Sequence, residues 1–447
     1  MATLGIDGLV SGLDTTALIA SLMKAEAIPQ TRLKATLGST QRSVTVLQSL
    51  NTKMANLAAA AAKLAAPATW TSAKATASSD AVTVTAGPAA QPGSLTFAVK
   101  TLASAKSVVS SATFTSTDQA MSGYPIQIRN AAGVVTASVT PVDGSLSAVV
   151  AAINSAANSG VRAVAVQVSP GTYRLQVSST TTGVAGGFTV SGLTGAGTLD
   201  TVTPASDALL HVGPAAGGYD VTSPTNTVQG LLPDVTLRLS KVADLVTVDV
   251  QSDPAATADV VQAMVDAANA VLKEIKSQTT SGVAAADGTR TGVGPLAGDS
   301  LLRRLAGQVV ETVATAIGGK SAASAGLSST RDGTLVLDRT VLLSQLNAAP
   351  DVVRSLLSPT APGADGVAGR LTKIAKESTD SVSGSLTGAI GARTSTINDL
   401  SGRIEDWDRR LATRRSALQG TYSALEVSLS RLKNQSSWLS GQIAGLA

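Results

Sequence analysis

The chain has 447 residues, a formal net charge of +4, one histidine and no cysteine, and only 2% of its residues are aromatic. That length leaves room for about three domains of roughly 150 residues each. The composition argues against an extended nucleic-acid surface, aromatic sugar platforms and histidine-rich metal sites, and it excludes disulfides and thiolate chemistry.

The first 23 residues hold no Lys or Arg but carry Asp7 and Asp14, so the positive region that opens a secretory signal is missing. The longest apolar tract, Leu57 to Ala62, stops at Lys63, and no membrane span is expected. Export would therefore need another route. Asp14 is placed to cap a helix whose apolar face is Leu18, Leu22 and Met23, and Pro29 breaks or kinks it. Beyond the proline, Leu33, Leu37, Val44, Leu47, Leu50, Met54, Leu57 and Leu64 recur at three- and four-residue spacing. This predicts a helix of about 48 Å.

Pro67 ends the helical texture. VTVTA (82–86) and SLTFAVKT (94–101) read as strands joined by the turn-rich GPAAQPG. Residues 126–191 read as a small β-β-α-β-β unit, with a helix through Leu146, Val149, Val150 and Ile153. The Gly/Thr-rich stretch 181–207 reads as a flexible loop between domains. Strands resume at 208–212, 234–240 and 245–250 with period two. Asp253-Pro254 opens a helix carrying Val261, Met264, Val265, Val271, Leu272 and Ile275. Asp299 caps another that reaches Ile317 and ends at Gly318-Gly319. A hairpin around Arg331-Asp332-Gly333, short helices to Leu357 and the SPTAPGADG loop follow. From 367 the chain is helical again, with an interruption near 383–388.

The last stretch organises the rest. Ile390, Ile397, Ile404, Leu411, Leu418, Leu425, Leu432, Leu439 and Leu446 keep strict seven-residue spacing. That period holds one helical stripe against a partner in a left-handed supercoil. Leu400 and Trp407 add a second column, which shifts by one residue at Tyr422, Leu429 and Ile443. Asp399 with Arg403, Glu405 with Arg409, and Asp406 with Arg410 are spaced to pair on a solvated face. Burying nine such side chains is worth roughly 13–27 kcal/mol gross, and a helix of about 85 Å outruns one small domain. Part of the stripe must meet the N-terminal helices or other copies of the chain. The expected assembly surface is Leu18, Leu22, Leu33 and Leu37 with Leu411, Leu418, Leu425, Leu432 and Leu439.

The fold class is therefore α+β and multidomain: a helical coiled-coil stem from both termini, with two β-rich head domains inserted between them. Expected boundaries are an N-terminal leg (1–40), a helical stem domain (41–67 with 252–390) and a first head (68–113 with 205–251). A second head (114–204) and a C-terminal leg (391–447) complete them. Catalysis finds no support. His211 sits in an apolar strand and reads as structural. GGKS (318–321) lacks the first glycine of a phosphate loop, since Ala314 stands there, and it closes a helix where such a loop opens one. Trp407 and Trp438 read as packing anchors, and Trp70 as a plug at a domain joint.

Six stretches carry a resemblance. GLVSGLDTTALIASLMKAEAIPQTRL (8–33), SLTFAVKTLASA (94–105) and the segment 153–183 come first, the last similar to an insertion repeat shared with flagellins. GPLAGDSLLRRL (294–305), GLSSTRDGTLVLD (326–338) and LKNQSSWLSGQI (432–443) follow. Together they resemble the bacterial flagellar filament cap proteins, or hook-associated proteins of the second type. The resemblance implies a secreted, non-enzymatic homo-oligomer at the distal filament tip, without cofactor or metal. It would promote flagellin polymerisation, prevent monomer leakage and so support motility. Flagellin, hook-filament junction proteins and an export chaperone are the implied partners, with no nucleic acid. The competing reading is a secreted adhesin or helical translocator acting through its apolar terminal helices.

Overall fold

Asp14 begins the first helix, because its Oδ1 accepts the N–H of Ala17 at 2.7 Å and so satisfies one of the free donors of a helix start. In this computed structural model the described residues are 12, 14–120, 125–214, 216–286, 288–358 and 365–444. The residues up to 11, Leu446 of the stripe, and 359–364 of the expected SPTAPGADG loop lie outside them. Helix α1 (Thr15–Glu26) stops at Ala27, and α2 (Ile28–Ala65) carries Pro29 in its first turn, where a missing N–H leaves no bond unmade. Along α2, Leu47, Leu50, Met54, Leu57, Ala61 and Leu64 are all fully buried, at alternating spacings of three and four. This is a coiled-coil seam.

The chain forms two units: one takes it up to Ala65 and again from Ala258, the other spans Ala66–Thr257. The second, β-rich unit opens with the short helix α3 (Pro67–Trp70), whose Trp70 is half-buried. It then runs through β1 (Ala73–Ala77), β2 (Val82–Ala86), β3 (Gly93–Thr101), β4 (Ser107–Ser110), β5 (Ile126–Asn130), β6 (Val135–Val139), α4 (Leu146–Ser155), β7 (Val161–Ser169) and β8 (Thr172–Ser179). Strands β9 (Phe188–Ser191), β10 (Leu199–Thr203), β11 (Ala208–Val212), β12 (Tyr219–Ser223), β13 (Thr227–Gln229), β14 (Val235–Leu239) and β15 (Ala243–Ser252) complete it. Two apolar cores result. In the first, the sheet β1-β15-β3-β11-β12 and the sheet β13-β14-β2 enclose Phe97, Val99, Leu210, Leu237, Val246 and Val248. In the second, the sheets β10-β4-β8-β7 and β6-β5-β9, with α4, enclose Phe114, Ile126, Ile128, Leu146, Leu175 and Phe188.

Strands β2 and β3 are joined through GPAAQPG as expected, but each pairs elsewhere: β2 with β14, and β3 with β11 and β15. The connecting GPAAQPG is held instead by Asp234, whose backbone O accepts from Gly87 N–H at 2.8 Å and whose Oδ2 accepts from Ala89 N–H at 2.7 Å. The β-β-α-β-β order is observed, yet its four strands divide between two sheets, and β4 with Val108 joins the second core from before residue 114. The stretch 181–207 is no loose loop. It contributes β9 and β10 and buries Phe188, Leu193 and Ala196.

The chain then returns through α5 (Pro254–Thr279) to the helical unit, which contains the hairpin β16 (Ser281–Ala284) and β17 (Arg290–Val293), then α6 (Ser300–Ala314). The hairpin β18 (Leu327–Ser329) and β19 (Leu335–Leu337) follows, then α7 (Arg339–Ala348), α8 (Pro350–Leu357), α9 (Val367–Thr379) and α10 (Ser385–Ala444). Asp299 caps α6 as expected, its Oδ1 accepting from the N–H groups of Leu301 and Leu302. The helix ends at Ala314, however, short of Gly318-Gly319. Those glycines have φ of 57° and 77°, and Ile317 and Lys320 exchange N–H···O bonds of 2.8 and 3.0 Å across them. GGKS is thus a tight two-residue turn, a conformation that needs positive φ at both central positions, and no helix cap. Helix α2 packs along α9 and α10, and Lys53 of α2 meets Glu274 of α5 at 3.4 Å. The fold class is the expected one: α+β, multidomain, with a helical stem drawn from both ends of the chain and two β-rich heads inserted in sequence between them.

Candidate assembly surface

Helix α10 has 60 residues, about 90 Å at about 1.5 Å per residue. Its surroundings change along that length. Leu386, Leu400 and Ile404 are buried where α10 lies on α2 and α9, and Ile390 and Ile397 are half-buried. Leu411 and Leu418 are half-buried. Farther on, Leu425 is 42% exposed, Leu432 61% and Leu439 52%, flanked by Val427, Trp438 and Ile443, all exposed. Trp438, expected as a packing anchor, is 63% exposed. One seven-residue register therefore spans a buried seam and an open one.

Polar contacts fix where α1 and the start of α2 lie on α10. Gln30 Nε2, buried, donates to Asp408 Oδ1 at 2.5 Å and to the carbonyl of Ile404 at 3.5 Å, and Arg414 Nε donates to Glu26 Oε1 at 2.9 Å. Falling numbers on the first two helices meet rising numbers on α10, so they run antiparallel to it. Between α1 and α10 lies an open groove of about 420 Å³ with Ala20, Met23, Ala27 and Leu411 in its lining and Lys24 and Arg415 beside them. On α1 it is Ile19 that is buried, while Leu18 and Leu22 are each 41% exposed; Leu33 and Leu37 on α2 are half-buried.

The charge on this end is one-sided. From Arg409 to Ala444, six basic side chains (Arg409, Arg410, Arg414, Arg415, Arg431, Lys433) stand against one acid, Glu426. Of the pairs expected on α10, Asp399 and Arg403 meet at 3.8 Å. The other two are rearranged. Arg409 bonds Asp406, three residues before it, in place of Glu405, and Arg410 lies 5.8 Å over the Trp407 ring in place of pairing with Asp406. Such exposed contacts are worth about 0.2–1 kcal/mol each.

Sequence reading missed a well-enclosed ion pair of the helical unit. Arg393 of α10 donates to Asp299 Oδ2 at 2.9 Å, with the two side chains only 29% and 14% exposed, while the other oxygen of Asp299 caps α6. No periodicity signals a pair 94 residues apart. Elsewhere, His211 lies on β11 opposite Asp220 of β12, its Nδ1 2.7 Å from Asp220 Oδ1 and its Nε2 3.4 Å from the Pro214 carbonyl. The ring is thereby held within the hairpin. Among the described residues no cluster of His, Asp and Glu is arranged to hold a metal ion, and no helix is long and apolar enough to cross a membrane.

Comparison with known proteins matches residues 11–106 to the family model described as flagellar hook-associated protein 2 N-terminus, and residues 205–434 to that described as flagellar hook-associated protein 2 C-terminus. The chain is similar to the lateral flagellar hook-associated protein 2 of Vibrio parahaemolyticus, 28% identical over 199 residues. That match covers 42% of this chain and 43% of the relative, less than half of its length. The A-type flagellar hook-associated protein 2 of Pseudomonas aeruginosa is 26% identical over 373 residues, 74% of this chain and 76% of that protein. Among solved structures, the D1-D2-D3 domains of the flagellar cap protein FliD from Escherichia coli align with a TM-score of 0.62 at 22% identity, covering 78% of this chain and 99% of that one. At that identity the likeness bears on the fold. Because the C-terminal model alone spans more than half of the chain, this protein belongs to the flagellar hook-associated protein 2 family.

Proposed function

We propose that several copies of this chain assemble into a cap at the distal tip of a bacterial flagellar filament. The cap holds incoming flagellin for polymerisation, prevents its leakage and so supports filament growth and motility. It acts outside the cell by binding alone, without a cofactor. The observation that carries this reading, beside the family, is the open half of the α10 seam: Leu425, Leu432 and Leu439 continue the register of a buried coiled coil yet remain exposed. About half of each side chain is still open, so covering the rest would contribute about 0.7–1.5 kcal/mol apiece before the entropy of association, an incentive for helical neighbours. Leu18, Leu22, Leu33, Leu37, Leu411 and Leu418 complete the assembly surface on this reading. Junction proteins of the hook and an export chaperone are the further partners that such helices would serve.

The test is complementation in the bacterium that carries the protein, after deletion of its gene. Full-length chain should restore filaments. A chain lacking residues 1–40 and the last 40 should keep its β-rich unit folded but release flagellin into the medium. Filaments of normal length from the truncated chain would overturn the proposal.

A further inference from the structure

In the second β-rich core, two sheets leave an unpaired edge facing one groove. Strand β9 ends the sheet β6-β5-β9, and β10 ends the sheet β10-β4-β8-β7. Between them lies an open groove of about 410 Å³, lined by all four residues of β9 and by Leu199 and Thr201 of β10, with Lys106 at its side. Which backbone groups face that groove follows from the ladders. Asn130 donates its N–H to Val134 O, toward β6, so Gln127 and Arg129 turn toward β9 and bond Ser191 and Thr189. Phe188 and Val190 then point their N–H and C=O away from β5, into the groove, and Lys106 Nζ donates to Phe188 O at 2.8 Å from that side. On β10, Thr198 O accepts from Ser111 N–H, so Asp200 also faces β4 and the backbone of Leu199 and Thr201 faces outward. Both walls therefore present strand edges to the same space.

The site is built rather than incidental. At Gly192, which follows β9, any Cβ would lie 2.4 Å from the Pro125 carbonyl, so β9 can approach its neighbour only with glycine there. The residues lining the groove include no carboxylate, and their single ion is Lys106. Its ammonium has three donors, of which one is given to Phe188 O. Exposed strand edges recruit extended chains through main-chain hydrogen bonds, with side-chain contacts setting selectivity.

We propose that this groove binds an extended segment of another protein that bears an acidic side chain, added as a strand between β9 and β10. About four residues, or about 13 Å of strand, match the length of β9. The added strand joins the two sheets into one, in the order β7-β8-β4-β10-peptide-β9-β5-β6, and sets its carboxylate beside Lys106. This inference uses only the β-rich unit and stands independently of the cap reading.

The probe is a set of end-blocked, fluorescein-labelled heptapeptides of alternating Thr and Val, with one Glu moved through the sequence. Binding to the full chain is read by fluorescence anisotropy. Saturable binding is expected for one Glu position above the others. Methylating alternate backbone nitrogens of that peptide should weaken it at least about ten-fold, since strand addition needs those N–H groups. Val190→Pro, which removes an N–H facing the groove and none facing β5, should do the same, and Lys106→Met should erase the preference for Glu over Gln. The methylated peptide keeps the test decisive should the proline variant misfold. Absence of saturable binding, or binding unchanged by backbone methylation, would overturn the assignment.

Discussion

A matched pair of substitutions probes the division of the α10 seam. Leu57 of α2 is fully buried, whereas Leu432 of α10 is 61% exposed. Truncating a buried leucine to alanine removes its transfer energy and leaves a cavity, so Leu57→Ala should cost about 2–5 kcal/mol. Leu432 has surrendered well under half of its surface within the chain, and Leu432→Ala should stay within about 0.5 kcal/mol. Urea unfolding followed by far-UV circular dichroism separates the two. With an m-value of about 2–3 kcal/mol/M, the helical midpoint should fall by roughly 1 M for Leu57→Ala and hold for Leu432→Ala. The order should invert in assembly. Light scattering over a range of concentrations should show the oligomer of Leu432→Ala weakened about ten-fold for each 1.4 kcal/mol that its contact supplies. Equal destabilisation of the dilute chain by both changes would mean that the distal seam is packed inside one molecule, and the open-seam reasoning would fail.

Arg393→Met leaves Asp299 partly enclosed without its cation, and should lower the stability of the helical unit by about 1–3 kcal/mol, measurable as the same urea midpoint; a change under about 0.3 kcal/mol would place the pair among ordinary surface contacts. Between α9 and α10, the backbone N–H groups of Ser383 and Val382, with the Ser383 hydroxyl, hold the Asp380 carboxyl below its ordinary value of 3.8. A lowered folded pKa stabilises fully above the unfolded value and is lost as pH falls through the folded one. The Val382 and Ser383 amide resonances should therefore titrate below the ordinary aspartate range, and Asp380→Asn should abolish that titration; a midpoint at or above 3.8 would contradict the assignment. Leu411→Asp with Leu418→Asp, at half-buried positions, should leave the thermal transition of the β-rich unit unchanged while lowering assembly, and a shifted β-rich transition would count against independent units.

Periodicity and capping were legible without coordinates, because they are local. A seven-residue repeat in α10, a three-and-four repeat in α2, Asp14 and Asp299 at helix starts, Pro29 as a break after α1 and Pro254 at the first turn of α5 each act within a turn or two of chain. The alternation of β7, β8, β11, β14 and β15 was legible for the same reason. Tertiary structure alone decided which strands pair: β2 with β14 and β3 with β15, because Asp234 holds the intervening turn and no local signal records a partner some 150 residues away. It also decided that the Gly/Thr stretch 181–207 is ordered. Its few apolar residues, Phe188 and Leu193 among them, gain their burial from Ile126, Ile128 and α4, which no composition window contains. The seam of α10 joins both lessons. Its spacing follows from the amino acids alone, but where it is covered, and where it lies open beyond Leu418, depends on how far α1, α2 and α9 reach along it.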